Sequence, residues 1–146
     1  DLDPESEVIV TLGSKEGLAN LAQAITSPGD IVLVPNPSYP IHPYGFIIAG
    51  GSVRHIPIPG AHSTTEFLAA LERAVRHTVP KPIALVLNYP SNPTAQCVDL
   101  SFFTRIVEIA RRYGIWVVHD LAYADICFDG FRAPSISASP FAAMPR

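Results

Sequence analysis

Five short apolar runs alternate with segments of helical period, and that alternation admits few architectures. The runs are Val8 to Gly13, Ile31 to Val34, Ser52 to Ile58, Ile83 to Leu87 and Ile115 to Asp120. Most are rich in β-branched and aliphatic residues and bounded by Gly, Pro, Asn or Asp, which is how buried strands read. Ser52 to Ile58 differs by alternating polar and apolar positions, still with a strand's period. Between the runs, apolar side chains recur at helical spacing. Leu18, Leu21, Ala22 and Ile25 define one helix, with Ser14 expected at its N-cap. Ile41 to Ala49 is a short helix ended by Gly50-Gly51. Thr65 to His77 is amphipathic through Phe67, Leu68, Leu71 and Val75, capped by Thr64 or Thr65. Asp99 to Tyr113 turns Phe102, Phe103, Ile106, Val107 and Ala110 inward, and Gly114 stops it.

Strand–helix alternation over the whole length predicts an α/β fold: three layers, a mostly parallel sheet with helices on both faces. Parallel neighbours need crossovers, so the loops after the first, second, fourth and fifth runs share one edge of the sheet. Those loops begin at Gly13, Pro35, Asn88 and Asp120. Beyond the fifth run the pattern weakens. Asp125 to Phe128 is read as a short strand, Asp129-Gly130 as a turn, Pro59 to Ser63 and everything from Ala133 onward as loop.

Composition removes several function classes. With 48% hydrophobic and 16% charged residues, the 146-residue chain can bury a core. A net charge of −3 leaves no basic footprint for nucleic acid. No apolar run approaches the ~18 residues of a membrane span. Cys97 and Cys127 are far apart in sequence and read as reduced thiols of a cytosolic protein. No histidine pair has metal-ligand spacing. His42, His55, His62 and His77 show no mutual pattern, and His119 reads as a packed core histidine. No Met opens the chain and Ala142 to Arg146 closes no element, so a fragment is expected.

The chemistry gathers at the strand ends. Asp120 is a carboxylate at the end of a buried-type strand, where an open α/β sheet has its crevice. Such a group needs a cation or several donors, and the two lysines, Lys15 and Lys81, offer no convincing partner by position. Gly13-Ser-Lys-Glu-Gly17 joins a strand to a helix and can present free N–H groups and the Ser14 hydroxyl to an anion. It has neither Walker A nor dinucleotide-fingerprint spacing. Tyr39 sits on the rigid mount Pro37-Ser-Tyr-Pro40. Asn92 precedes Pro93 in Asn88-Tyr-Pro-Ser-Asn-Pro-Thr94, where a cis peptide is possible. Tyr123 follows Asp120 by three residues, one helical turn.

These four motifs, in this order, resemble the large domain of class I/II, fold-type I pyridoxal-phosphate aminotransferases. The resemblance is strongest to the branch with alanine (glutamate–pyruvate) and LL-diaminopimelate aminotransferases. It covers essentially the whole chain but only the middle of the family's sequence. Residues 1–146 would be a partial PLP-binding large domain. The N-terminal segment, the Ser-x-Ser-Lys region with the Schiff-base lysine, and the C-terminal small domain would lie outside it. By motif, the cofactor-binding residues would be Ser14, Lys15, Tyr39, Asn92, Asp120 and Tyr123. Asp120 would face the pyridine nitrogen of pyridoxal 5'-phosphate, Asn92 and Tyr123 its phenolic oxygen, and Tyr39 its ring. Ser14 and the Lys15 N–H would hold the phosphate.

The implied parent is a cytoplasmic homodimer that exchanges an amino group between an L-amino acid and a 2-oxo acid. The fragment itself, without the lysine, would be inactive. Asn-Pro-Thr-Ala95 departs from the family's Asn-Pro-Thr-Gly. Two rival readings share the motifs: a carbon–sulfur lyase of the same fold, and an aminotransferase-like effector domain of a transcription regulator.

Overall fold

A computed structural model of the chain describes residues 2–58 and 63–140. The expected loop at Pro59 to Ser63 and the C-terminal residues Ala142 to Arg146 therefore lie wholly or mostly outside the described residues. The elements run α1 (Ser14–Ile25), β1 (Ile31–Asn36), α2 (Ile41–Ile48), β2 (Ser52–Pro57), α3 (Thr64–His77), β3 (Ala84–Asn88), α4 (Leu100–Tyr113) and β4 (Trp116–Asp120). A 3-10 turn follows at Ile136–Ala138. The four strands form one sheet in the order β2-β1-β3-β4, parallel throughout.

Residue alternation in the two central strands builds the layers. Val32, Val34, Ala84 and Val86 pack on one face with Ala22 of α1 and Phe46 of α2. Leu33, Leu85 and Leu87 pack on the other with Phe67 and Leu71 of α3 and Phe103 and Ile106 of α4. Successive side chains of a strand point to opposite faces, so a strand that is apolar at every position must be covered twice. The expected three-layer arrangement of parallel strands and helices is what the chain forms.

Helix ends follow local donors and acceptors, with two corrections to the sequence reading. Ser14 is the first residue of α1 rather than its cap. The cap position is Gly13 at φ 92°, and no side chain caps there. Glu16 instead reaches back to accept the Leu12 N–H at 2.7 Å. α3 is capped by Ser63, whose hydroxyl accepts the Glu66 N–H at 3.2 Å, while Thr64 and Thr65 lie inside the helix. α4 is capped by Asp99, which accepts from Phe102 at 2.9 Å, and ends at Gly114 in the left-handed region.

Three strand expectations fail or change. Val8 to Gly13 forms no strand, and Val10 is 92% exposed. Its sequence suits a strand, but a strand needs a ladder, and no described residue pairs with it. Asp125 to Phe128 is likewise not a strand; Ile126 and Phe128 are exposed. β4 exists but is an edge strand, not a buried one. Among the described residues it pairs with β3 alone, and Trp116 at its start is 59% exposed.

Candidate cofactor-binding site

The parallel order fixes where the site lies. β1, β3 and β4 run side by side, so the segments leaving Asn36, Asn88 and Asp120 emerge at one edge. The Asn36–Pro37, Tyr89–Pro90 and Asn92–Pro93 peptides are cis, which includes the bond flagged from the sequence. The segment after β1 carries Tyr39 and leads directly into α2. The segment after β3 carries Asn92. The chain after β4 turns through Leu121 and Ala122 to Tyr123.

Asp120 has a partner that spacing could not show. Its Oδ2 lies 3.0 Å from Nε2 of His42, in the first turn of α2. His42 is buried, at 1% exposure, and the Asp120 side chain is 16% exposed. An ionised carboxylate only accepts, so Nε2 carries the proton in this contact. Asp120 Oδ1 accepts the Ala122 N–H at 3.2 Å. The hydrogen bond from His42 holds the Asp120 carboxyl below its ordinary value, with burial opposing. The imidazole charge of His42, the Ala122 N–H and the nearby His119 add to the lowering. Asp120 is therefore an anion at neutral pH, and it retains lone pairs for another donor.

A neutral pair stands beside this charged one. Asn92 Nδ2 donates to the Tyr123 hydroxyl at 2.9 Å. Because the phenol oxygen accepts there, its own O–H proton is available to a further acceptor, as is the second Nδ2 hydrogen of Asn92. The pair can thus direct two donors at one oxygen. Asn88, the last residue of β3, bonds both neighbours: its Nδ2 donates to the Asp120 carbonyl at 3.0 Å and its Oδ1 accepts the Asn92 N–H at 2.8 Å.

The remaining expected residues surround these pairs. The Tyr39 and His42 rings meet edge to face at 6.0 Å. The Lys15 ammonium lies over the Tyr39 ring, 5.5 Å from its centroid. Ser14 and Asp120 line the same open hollow of about 370 Å³, together with Gly17, Val118 and Leu121. So the start of α1 does reach the end of β4, although the run before it is not a strand. Lys81 is elsewhere: it donates to the Tyr113 carbonyl at 2.9 Å, before β3 begins.

His119 behaves as the expected core histidine. It packs on Phe103 at 4.5 Å, its Nε2 sits 3.2 Å from the Tyr89 carbonyl, and its Nδ1 accepts the Ile136 N–H at 3.4 Å. Burial pushes its pKa below 6.5, while the Tyr89 carbonyl and Asp120 pull it back up. Burial likewise raises the Tyr89 phenol to about 12.

The sequence reading assigned no site role to His42 or Asn88. A local signal for His42 existed. It lies three residues after Tyr39 and four before the buried Phe46, the spacing of one helix face. What was absent was any sign of its partner, 78 residues away.

The model of the family "Aminotransferase class I and II" matches residues 1–145. The chain belongs to that family. It is 58% identical over 140 residues to the glutamate-pyruvate aminotransferase AlaC of Escherichia coli K12, covering 96% of this chain and 33% of that protein. It is 44% identical over 135 residues to an LL-diaminopimelate aminotransferase of Desulforudis audaxviator, covering 92% of this chain and 34% of that one. Among solved structures, the N-succinyldiaminopimelate aminotransferase of Mycobacterium tuberculosis superposes with a TM-score of 0.83 at 30% identity. That match covers 96% of this chain and 36% of the other. The chain thus spans about a third of the length of the relatives it matches. No helix among the described residues is long and apolar enough to cross a membrane.

Proposed function

We propose that this chain is the cofactor-holding part of a pyridoxal-phosphate-dependent aminotransferase, residues 1–146 forming part of its large domain. The parent would exchange an amino group between an L-amino acid and a 2-oxo acid, in the alanine/glutamate or LL-diaminopimelate manner, as a cytoplasmic homodimer. The observation that carries the reading is the Asp120–His42 contact beside the Asn92–Tyr123 pair. It supplies a held anion and a convergent pair of donors at neighbouring strand ends.

The donor set fits the cofactor's chemistry. When bound, pyridoxal phosphate supplies a ring that withdraws the electron pair left as a substrate amino acid loses its Cα proton. Asp120, kept ionised by His42, would hold a proton on the ring nitrogen by accepting its N–H. Asn92 and Tyr123 would donate to the phenolic oxygen and hold its charge. Tyr39 would lie against the ring face. The free N–H groups at the start of α1, with the Ser14 hydroxyl, would take the phosphate. Lys15 carries a positive charge from that helix start to the Tyr39 ring.

The chain alone is expected to bind the cofactor without turning over substrate. Neither lysine stands in a Ser-x-Ser-Lys segment, and Lys81 is engaged with Tyr113 at the opposite end of β3. Equilibrium dialysis with pyridoxal phosphate tests the binding. Saturable one-site binding that Asp120→Ala weakens about 10- to 100-fold or more is the expected result. Unaltered binding by that variant would remove the basis for the reading. Borohydride treatment should leave no cofactor on Lys15 or Lys81, and alanine with 2-oxoglutarate should give no product.

A further inference from the structure

We propose that Asn88 is a positioning residue that locks the Asp120 end of β4 and the Asn92 loop at one fixed spacing. The inference rests on the cofactor reading for its consequence, but its geometry stands apart from it. Asn88 is 8% exposed and forms the last rung of the β3–β4 ladder, opposite Asp120. Beyond that rung the Asp120 carbonyl and the Asn92 N–H have no backbone ladder to enter. Both groups are half-buried, and backbone groups withdrawn from water need partners. The Asn88 amide supplies both, donating at 3.0 Å to the carbonyl and accepting at 2.8 Å from the N–H. In effect one side chain adds a further rung.

The choice of residue follows from that double task. Asparagine carries a donor and an acceptor on one short planar group. Aspartate has the shape but, when ionised, no donor. Alanine has neither. Both of these Asn88 hydrogen bonds go to main-chain atoms of site residues, so it acts through them. Tyr123 belongs to the chain that leaves Asp120, whereas Asn92 belongs to the loop that leaves β3. The Asn92–Tyr123 bond spans those two segments, and the Asn88 amide ties them at their base. A single bound ring can meet Asp120 with its nitrogen and the Asn92–Tyr123 pair with its oxygen only if that spacing is kept. Small displacements of such groups weaken a site strongly.

The test uses the 146-residue chain with Asn88→Asp, Asn88→Ala and, as a control for lost stability, Leu71→Ala. Leu71 is fully buried in α3, in the core cluster that α3 and α4 form on the sheet, and makes none of the site's hydrogen bonds described above. Without cofactor, nuclear magnetic resonance reads three things: exchange of the Asn92 backbone N–H relative to mid-β3 amides, the Asn92 side-chain amide signals, and the Asp120 carbonyl carbon shift. Asn88→Ala should raise the relative exchange at Asn92 by about tenfold, the effect of one lost hydrogen bond. It should also move the other two signals. Asn88→Asp should keep the Asn92 N–H protected and move the Asp120 carbonyl. Leu71→Ala should move none of them.

With pyridoxal phosphate added, both Asn88 variants should bind about tenfold more weakly, and Leu71→Ala should bind within about twofold of the parent chain. The inference is overturned if the Asn88 variants leave the Asn92 and Asp120 signals in place, or if Leu71→Ala reproduces their changes. Should Asn88→Ala not fold, the isosteric Asn88→Asp decides. Failure of the unaltered chain to bind pyridoxal phosphate would sink the cofactor reading, while the resonances still judge Asn88.

Discussion

Two hydrogen-bonded pairs stand at neighbouring strand ends, and they differ in kind. Asp120–His42 joins a carboxylate to a fully buried imidazole across 3.0 Å. Asn92–Tyr123 joins two neutral groups across 2.9 Å, half-exposed and at the rim. The first fixes a charge, and its strength depends on protonation. The second fixes a direction between two neutral groups. Under the proposed function, a ring with a basic nitrogen and an acidic oxygen would use one of each.

Substitutions can break this comparison in graded steps. Asp120→Ala should have the largest effect, because it removes a charge-assisted bond to the ligand and leaves His42 buried without a partner. Hydrogen bonds to charged groups contribute about 1.5–3 kcal/mol, so cofactor affinity should fall about 10- to 100-fold or more, read by dialysis. Thermal unfolding should show a loss of about 1–3 kcal/mol from the stranded imidazole. Asp120→Asn should restore the fold but not the affinity.

His42→Ala comes next, with binding about tenfold weaker and a distinctive pH signature. His42 is the main reason the Asp120 carboxyl titrates low. Removing it raises that titration, so the acid limb of cofactor binding should move to higher pH. In the unaltered chain the same group has a depressed folded-state value. Its contribution to stability is therefore complete above the ordinary carboxylate range and is lost as pH falls through the depressed value.

Tyr123→Phe and Asn92→Ala test the neutral pair. Each removes about one neutral hydrogen bond, roughly 1 kcal/mol, so affinity should fall about fivefold with no displacement of the acid limb. A pH shift in either variant would show that the two pairs are not separable in the way described. The smallest effect belongs to His119. Its folded-state pKa lies below 6.5, so the unfolded chain takes up protons first as pH falls. Stability should begin to decline as pH drops through about 6.5, the ordinary histidine value. His119→Gln should flatten that part of the profile in a melting-temperature series.

How much of this was legible in the sequence depends on how local its cause is. Ile83 to Leu87 and Val8 to Leu12 read almost alike, each an apolar run ahead of turn residues. One became part of the central strand β3, with Ala84 to Leu87 at zero exposure; the other lies open along the surface. Apolar alternation records what a segment can become, whereas pairing depends on a neighbour that sequence position does not name. The same reason explains β4, whose residues suit a buried strand but whose second edge meets no described strand. The site divides along that line too. Tyr39, Asn92, Asp120 and Tyr123 were visible because each lies at a strand end or within a few residues of one. His42 was seen and set aside, since its meaning comes from a carboxylate on a strand two places across the sheet. Caps shifted by a residue because Gly13 at φ 92° could take the turn that Ser14 was expected to begin.

The central claim is that Asp120, held ionised by His42, meets the ring nitrogen of the bound cofactor. Nitrogen-15 resonance of pyridoxal phosphate labelled in its ring, added to the chain, reads that contact directly. The ring nitrogen should stay protonated at pH values where the free cofactor has lost its proton, and should revert to free behaviour with Asp120→Asn. A ring nitrogen that titrates as it does in free solution, or one unmoved by Asp120→Asn, would contradict it.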